Sequence, residues 1–560
     1  MRILLVVLVC GVAHGNASAQ FDHPGKVVAA GEHALVANRG SGEITVVGRS
    51  GQIAVSTDVG SNVTAIYAAS AGTETDFLIT EEAALLHMRL GENDLAIVDR
   101  LALRQPGQIA VDHESNVAVV TSKWNASAHV VRLQPRLVLA KSVNFSFSPG
   151  HVVPIGNARF LIADAFGGKM AVLDAAAGKI IGHSKLRGHN ICGLLRNGDE
   201  VLIAHQILSQ TARTELADVH WGALMQNVIS RVSIKSLLSG KPKTSTIALG
   251  DVEAGAADPA EMVRLSDGRI AIALSGVDEV LISSLPDKRG RFRFAKGERI
   301  KVGKRPTSMA VLRNGTVVVT NELGDSVSII DVQERTAREV PASRARKLTA
   351  IERGEQAFFS ARLSHDNWLS CHSCHTSGHS PGLLADTLGD SAFGNPKLIP
   401  SLLGVGRTAP FGWSGNFDRL PAQIEKSIRT TMHGTPDEQT TADIATYLQA
   451  LKPLKRSSIN EPPPPISQGG RVFDKHGCSR CHAPSNGFTS PDTYDVGFQD
   501  ETGQSKFNPP SLRGIRHRTR FFHDGRAKTL RQALDLHTRA LEKRISGADL
   551  KAVERFLRGL

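Results

Sequence analysis

Cys371-His372-Ser373-Cys374-His375 and Cys478-Ser479-Arg480-Cys481-His482 are the two stretches from which this chain is read. Each is a Cys-x-x-Cys-His. That spacing attaches c-type haem: two thiols add across the vinyl groups, and the adjoining imidazole reaches the iron. Two covalently attached haem c groups are therefore expected. One would sit on Cys371, Cys374 and His375, the other on Cys478, Cys481 and His482, with His375 and His482 as iron ligands. A four-cysteine zinc site also uses Cys-x-x-Cys twice. It leaves the histidine after each pair unexplained, and its pairs usually share one small fold, whereas these begin 107 residues apart. Disulfides within each pair are the other competing reading.

From about Lys347 the texture around these motifs is amphipathic helix and irregular loop. Glu461 followed by Pro462 to Pro465 reads as a stiff, extended linker. It divides the region into residues 346–460 and 461–560, two lobes that read as internal copies. Pro400-Ser401-Leu402 and Gly404 match Pro510-Ser511-Leu512 and Gly514. At the same offset of 110, Phe411, Gly415 and Leu420 match Phe521, Gly525 and Leu530. Each half closes on a helical pattern whose apolar residues hold the lobe together, ending at Leu451 and Leu560.

Upstream, residues 20–345 read as short apolar and alternating runs broken by Gly, Asp, Asn and Ser. One unit recurs, its runs ending near Ala37, Thr80, Thr121, Ala163, Ala204, Ala273 and Thr320, at intervals of 43, 41, 42, 41, 69 and 47 residues. Such a repeat predicts a seven-bladed β-propeller, in which each blade buries its faces against its neighbours. The expected fold class is multidomain: an all-β seven-bladed propeller, then an all-α di-haem cytochrome c module of two duplicated lobes. The long interval holds an extra loop of about twenty residues containing Arg213, Asp218, His220 and Trp221. It is expected to face the haem module or to cover the propeller mouth, as a functional loop or a packing one.

At the beginning of the chain, Arg2, the apolar run from Ile3 to Val9 and Ala17-Ser18-Ala19 have the order of an export signal cleaved after Ala19. Residues 1–19 are expected to be removed and the remainder to be periplasmic. That run is too short to span a bilayer, and no later stretch is long enough, so no membrane span is expected. Cys10 leaves with the leader, and the unpaired Cys192 is expected as a small buried apolar residue. The net charge is +12, from 66 basic and 54 acidic residues. Apart from short clusters at 344–347 and 513–520 the basic residues are scattered, and no base-reading motif accompanies them. A nucleic-acid partner is not expected.

The stretch Gly354-Glu355 through Phe358-Phe359, Arg362-Leu363-Ser364 and Ser370-Cys371 resembles the bacterial di-haem cytochrome c peroxidases. So does Pro400 to Leu420 with Trp413-Ser414-Gly415, and so does Pro509 to Leu530 with His523-Asp524-Gly525-Arg526. That superfamily includes relatives that oxidise other proteins, such as the methylamine-dehydrogenase maturation enzyme. Separately, the last upstream unit, Val302 to Asp331, resembles the YVTN family of propeller repeats, which specifies a blade and little chemistry.

The resemblance implies roles position by position. The first haem would be the low-potential one where peroxide reacts, the second the one that receives electrons. Trp413 would lie between them as an electron relay, with aromatic packing as its alternative role. Gln423 stands where the peroxidases place a glutamine near the open face of the first haem, and His433 stands where they use a glutamate to move the peroxide proton. His433 is read as an acid–base residue, an iron ligand or a structural one. Phe522 occupies the position read as the peroxidases' methionine ligand to the second iron, and it cannot coordinate. The second haem would then be five-coordinate or take another ligand, His523 or His517, while His365, His372 and His379 are candidates for a displaceable ligand at the first haem.

The function expected is a periplasmic di-haem c-type oxidoreductase, peroxidase-like, moving electrons between a donor or substrate docked on the propeller and an oxidant at the first haem. Its partner would be a small soluble redox protein or a periplasmic substrate. The alternative is a non-peroxidatic electron-transfer protein with a partner-binding propeller.

Overall fold

The computed structural model describes residues 21–69, 75–92, 94–285, 297–342, 346–454, 468–540 and 545–560. The leader and the proline run at 462–465 lie outside the described residues.

Seven four-stranded antiparallel sheets follow one another without a crossover. The first is built from Pro24–Ala30, His33–Asn38, Glu43–Gly48 and Ile53–Asp58, the seventh from Pro306–Val311, Val317–Asn321, Ser326–Asp331 and Thr336–Pro341. The innermost strands of successive sheets touch in a closed ring, and Pro306–Val311 returns to Pro24–Ala30. This is a seven-bladed β-propeller. Each recurring run of the sequence is the second strand of a blade, including Asp76–Thr80, Val117–Ser122 and Arg159–Asp164. These strands are apolar on both faces because sheets pack against them from either side, so Phe77, Leu78 and Ile79 are all essentially fully buried. Each such side chain contributes roughly 1.5–3 kcal/mol by leaving water.

No blade mixes strands from the two ends of the propeller; side chains close the ring instead. Val27 N donates to Ser308 Oγ at 3.2 Å, and Thr307 Oγ1 to Gly25 O at 3.4 Å.

The remaining described chain is mostly helix and loop, and one order of elements occurs twice. The helices Ala350–Phe359 and Gln468–Lys475 each lead to a Cys-x-x-Cys-His. A two-residue ladder follows in each case, Leu384–Ala385 with Lys397–Leu398 and Tyr494–Asp495 with Lys506–Phe507. Then come the isolated bridges Phe411↔Phe417 and Phe521↔Ala527, and the helix pairs Leu420–Thr430 with Glu438–Ala450 and Leu530–Ala540 with Gly547–Arg558. No helix among the described residues is long and apolar enough to cross a membrane.

The extra loop joins the strands Glu200–Leu208 and Met225–Ser233 of the fifth blade and carries the short helix Leu216–His220. It packs on the haem module: Leu208, Val219, Leu224 and Met225 share one buried cluster with Phe358, Trp368 and Leu369. Of the two placements expected for it, the structure shows the first.

Candidate functional site

Serine starts the first attachment turn. Ser370 caps the helix Cys371–Cys374, its Oγ accepting from Ser373 N at 3.2 Å while Ser373 Oγ accepts from Ser370 N at 2.9 Å. This reciprocal cap satisfies donors that a one-turn helix leaves open, and three-residue spacing turns both thiols to one side. The propeller grips the same turn. Buried Asp258 accepts from Ser370 Oγ and Ser373 Oγ, His189 Nε2 donates to Ser373 O at 2.7 Å, and Gln206 Nε2 donates to Ser373 Oγ at 3.1 Å. The second turn, Cys478–Arg480, starts from Gly477 at φ +73°, a left-handed conformation suited to glycine.

Both motif histidines are oriented alike. His375 Nδ1 donates to Pro400 O at 3.0 Å, and His482 Nδ1 donates to Phe488 O at 3.1 Å. A backbone acceptor at Nδ1 leaves Nε2 as the lone-pair nitrogen, the form a metal ligand needs. Burial pushes both imidazoles down to about 4, so they are neutral. Burial also pushes the Cys371 and Cys374 thiols up to about 12 and that of Cys478 to about 11. None of the four is paired with another cysteine. Among the described residues they form no group of converging ligand atoms, so neither the zinc nor the disulfide reading describes this arrangement.

A single cavity of about 720 Å³ is lined by both motifs, with Cys371, Cys374 and His375 on its wall as well as Cys478, Cys481 and His482. Trp413 stands on the same wall; its Nε1 donates to Leu398 O at 2.7 Å, and its carbonyl accepts from Asn508 N at 2.8 Å. The indole is thus anchored to one half of the module by its side chain and to the other by its backbone.

The di-haem cytochrome c peroxidase family profile matches residues 349–457 and 470–558. The C-terminal module belongs to the di-haem cytochrome c peroxidase family. Among its relatives are the methylamine utilization protein MauG of Methylorubrum extorquens, 25% identical over 307 residues, covering 42% of this chain and 85% of the relative. Another is the cytochrome c551 peroxidase of Pseudomonas aeruginosa, 24% identical over 268 residues, covering 37% of this chain and 78% of the relative. Solved structures with a similar trace include Kuenenia stuttgartiensis hydrazine synthase, at TM-score 0.49 and 14% identity over 58% of this chain and 99% of that one. A streptogramin B lyase matches at TM-score 0.41 and 12% identity, over 55% and 92%. The chain is a di-haem cytochrome c peroxidase-like oxidoreductase, and its cofactors are two covalent haem c groups.

In this di-haem module Gln423 lies on the cavity wall, its Nε2 donating to Ser427 Oγ at 3.1 Å from one turn of the helix Leu420–Thr430 to the next. His433 does not reach that wall. Its Nε2 donates to Thr214 O, on the extra propeller loop, at 2.8 Å, and its neighbour Met432 lines the cavity instead. His365, His372, His379 and His517 are not on the wall either. His517 is held by Ser148 Oγ at 3.1 Å and by Arg516 Nε at 2.9 Å; His379 Nδ1 faces Ser401 Oγ at 2.9 Å. His523 is on the wall, buried and stacked on Phe507 with ring centres 3.9 Å apart.

The sequence reading passed over His537. From the helix Leu530–Ala540 it faces His482 across the cavity, ring centres 6.4 Å apart and planes tilted 35°. Two imidazoles bound to one ion at N–metal distances of about 2 Å hold their ring centres roughly 6 Å apart. Phe522 packs beside His537 at 5.0 Å rather than facing His482. A sequence signal was available: Leu530, Leu534 and His537 are spaced as one buried helix face, with a histidine where an apolar residue would stand.

Asp258, His433 and Phe522 all adopt left-handed φ, at 54°, 53° and 68°. Each costs a residue with a side chain roughly 1–2 kcal/mol, and all three stand where the two modules or the two motif halves meet the site.

Proposed function

We propose that electrons pass between a donor or substrate docked on the propeller and an oxidant at the first haem, in a protein exported to the periplasm. The single observation that carries this reading is the shared cavity, which is lined by both attachment motifs and by Trp413. Cys371, Cys374 and His375 would hold one haem, and Cys478, Cys481 and His482 the other. The repeated element order supports two lobes that arose by internal duplication. Haem c supplies an iron that exchanges single electrons and, where a coordination position is open, reacts with peroxide.

The chain's own residues supply the rest. His375 and His482 present Nε2 because Pro400 and Phe488 hold Nδ1. Trp413 bridges the halves and would relay electrons. Gln423 would orient a small polar oxidant on the wall beside the first motif. His433 acts as a positioning residue, clamping the Thr214 loop and setting Met432 into the wall. His537 would join His482 in holding that haem's iron. The propeller's hold on the first attachment turn, through Asp258, His189 and Gln206, supports its role as the platform to which a partner or substrate docks.

One observation favours the second reading, electron transfer without peroxide chemistry: His433, in the place of the peroxidases' proton-moving glutamate, is turned away from the cavity. A peroxide titration of the oxidised and half-reduced holoprotein, followed optically and by EPR, separates the two. Rapid peroxide consumption is expected. No reaction in either state, with both haems low-spin, would overturn the peroxidatic reading and leave electron transfer.

A further inference from the structure

A second cluster of ligand-type side chains stands apart from the cavity, where the extra propeller loop meets the di-haem module. His220 Nδ1 lies 2.7 Å from Asp366 Oδ2, His365 Nε2 lies 3.3 Å from His220 Nδ1, and His365 Nε2 lies 3.4 Å from Asp366 Oδ2. Three heteroatoms from three side chains therefore converge on one point. Ligand atoms held about 2.0–2.2 Å from one ion lie roughly 3 Å from one another, which is the size of this triangle. If both imidazoles donate to Asp366 as plain hydrogen bonds, their two N–H groups face each other at 3.3 Å with no proton shared between them, a close approach that a common ion accounts for. The three side chains are only partly covered, at 31%, 35% and 14% exposure, so an ion has a path in.

The surroundings hold the donors in place. Trp368 Nε1 donates to His220 O at 3.1 Å, and His365 N donates to Met432 O at 2.8 Å. Asp366 has left-handed φ, +53°, and its carbonyl accepts from Gly255 N of the propeller at 2.8 Å.

We propose that His220, His365 and Asp366 form a binding site for a divalent transition metal of the zinc and copper class, fastening the 209–224 loop to the segment that leads into Cys371. Two imidazoles and one carboxylate suit such ions and leave further positions for water. The proposal does not depend on peroxidase activity.

The test uses haem-loaded protein and Zn2+ as the probe. After equilibration and dialysis, elemental analysis is expected to find one zinc per chain beside the haem iron. His365→Ala and Asp366→Asn are expected to weaken Zn2+ binding roughly 100-fold, with haem content and the optical spectrum unchanged. Cu2+ EPR of the unaltered protein gives a readout that needs no variant: superhyperfine coupling from two imidazole nitrogens is expected. Zinc that washes out, copper without nitrogen coupling, or binding that survives both substitutions would each overturn the site, the last by placing the metal elsewhere.

Discussion

Asp258 of the propeller and Ser373 of the first haem-attachment turn are joined by a buried hydrogen bond of 2.7 Å, and Ser370, which caps that turn, reaches the same carboxyl at 2.5 Å. The serine before the first motif's cysteines and one of the two residues between them are thus held from the far domain. The propeller braces the first attachment turn directly and is not merely a tethered neighbour.

Asp258→Ala strands two buried hydroxyls, and each unsatisfied group costs about 1–3 kcal/mol. The holoprotein is expected to lose thermal stability, with the first haem's spectrum perturbed and the second's unchanged. Differential scanning calorimetry and optical redox titration check this. A variant with unaltered unfolding and spectra would show that the contact contributes nothing to the site.

His537 is proposed as a ligand of the haem on His482. Replacing an imidazole ligand by methionine raises a haem potential, so His537→Met is expected to raise the midpoint of one haem and leave the other in place. His537→Ala should convert that haem's low-spin EPR signal to high-spin. Retention of the low-spin signal in both variants would rule His537 out as a ligand.

Trp413→Phe keeps an aromatic ring on the cavity wall but removes the Nε1 donor to Leu398 O. Electron transfer between the haems is expected to slow roughly tenfold, equivalent to about 1.4 kcal/mol of barrier, with both haem spectra unchanged. Stopped-flow reduction of the two haems measures it. An unchanged rate would leave Trp413 as a packing residue.

The module contact should respond to pH at both ends. Burial alone would raise the Glu322 carboxyl, but Arg39 at 3.0 Å and Arg305 at 2.8 Å outweigh it and hold it at about 2. Arg305 in turn stacks on Phe359 of the haem module, 3.4 Å from the ring centre. A carboxyl lowered in the folded state contributes stability above its unfolded value near 4.5, which is lost as pH falls toward 2. His23 works in the opposite sense. Hydrogen bonds to Asp22 and to Glu355 of the haem module raise it to about 10. Its contribution is complete below 6.5 and falls away as pH rises through 10. Thermal unfolding between pH 6.5 and 10 is expected to show this alkaline loss, and His23→Gln should flatten it.

The two Cys-x-x-Cys-His stretches and the forty-odd-residue repeat made the cofactor class and the propeller readable, because both depend on local spacing. Thiols three residues apart face one way in any single turn, and an inner blade strand must be apolar on both faces wherever it sits. The second strand of every blade was visible for that reason, from Val36 in the first to Val319 in the seventh.

Chemistry carried within a few residues was therefore legible in the amino acids alone: two haem attachment sites, seven blades and the family of the C-terminal module. Tertiary structure alone decided which groups meet across long separations. It turned His433 toward Thr214 and away from the cavity, set His537 opposite His482 across 54 intervening positions, and put Asp258 on a turn more than a hundred residues further along. The physical reason is that a side chain's spacing tells which face of its own element it occupies, while its partner depends on how separate elements pack. Only packing places a second imidazole, or a carboxyl from another domain, within reach of the first.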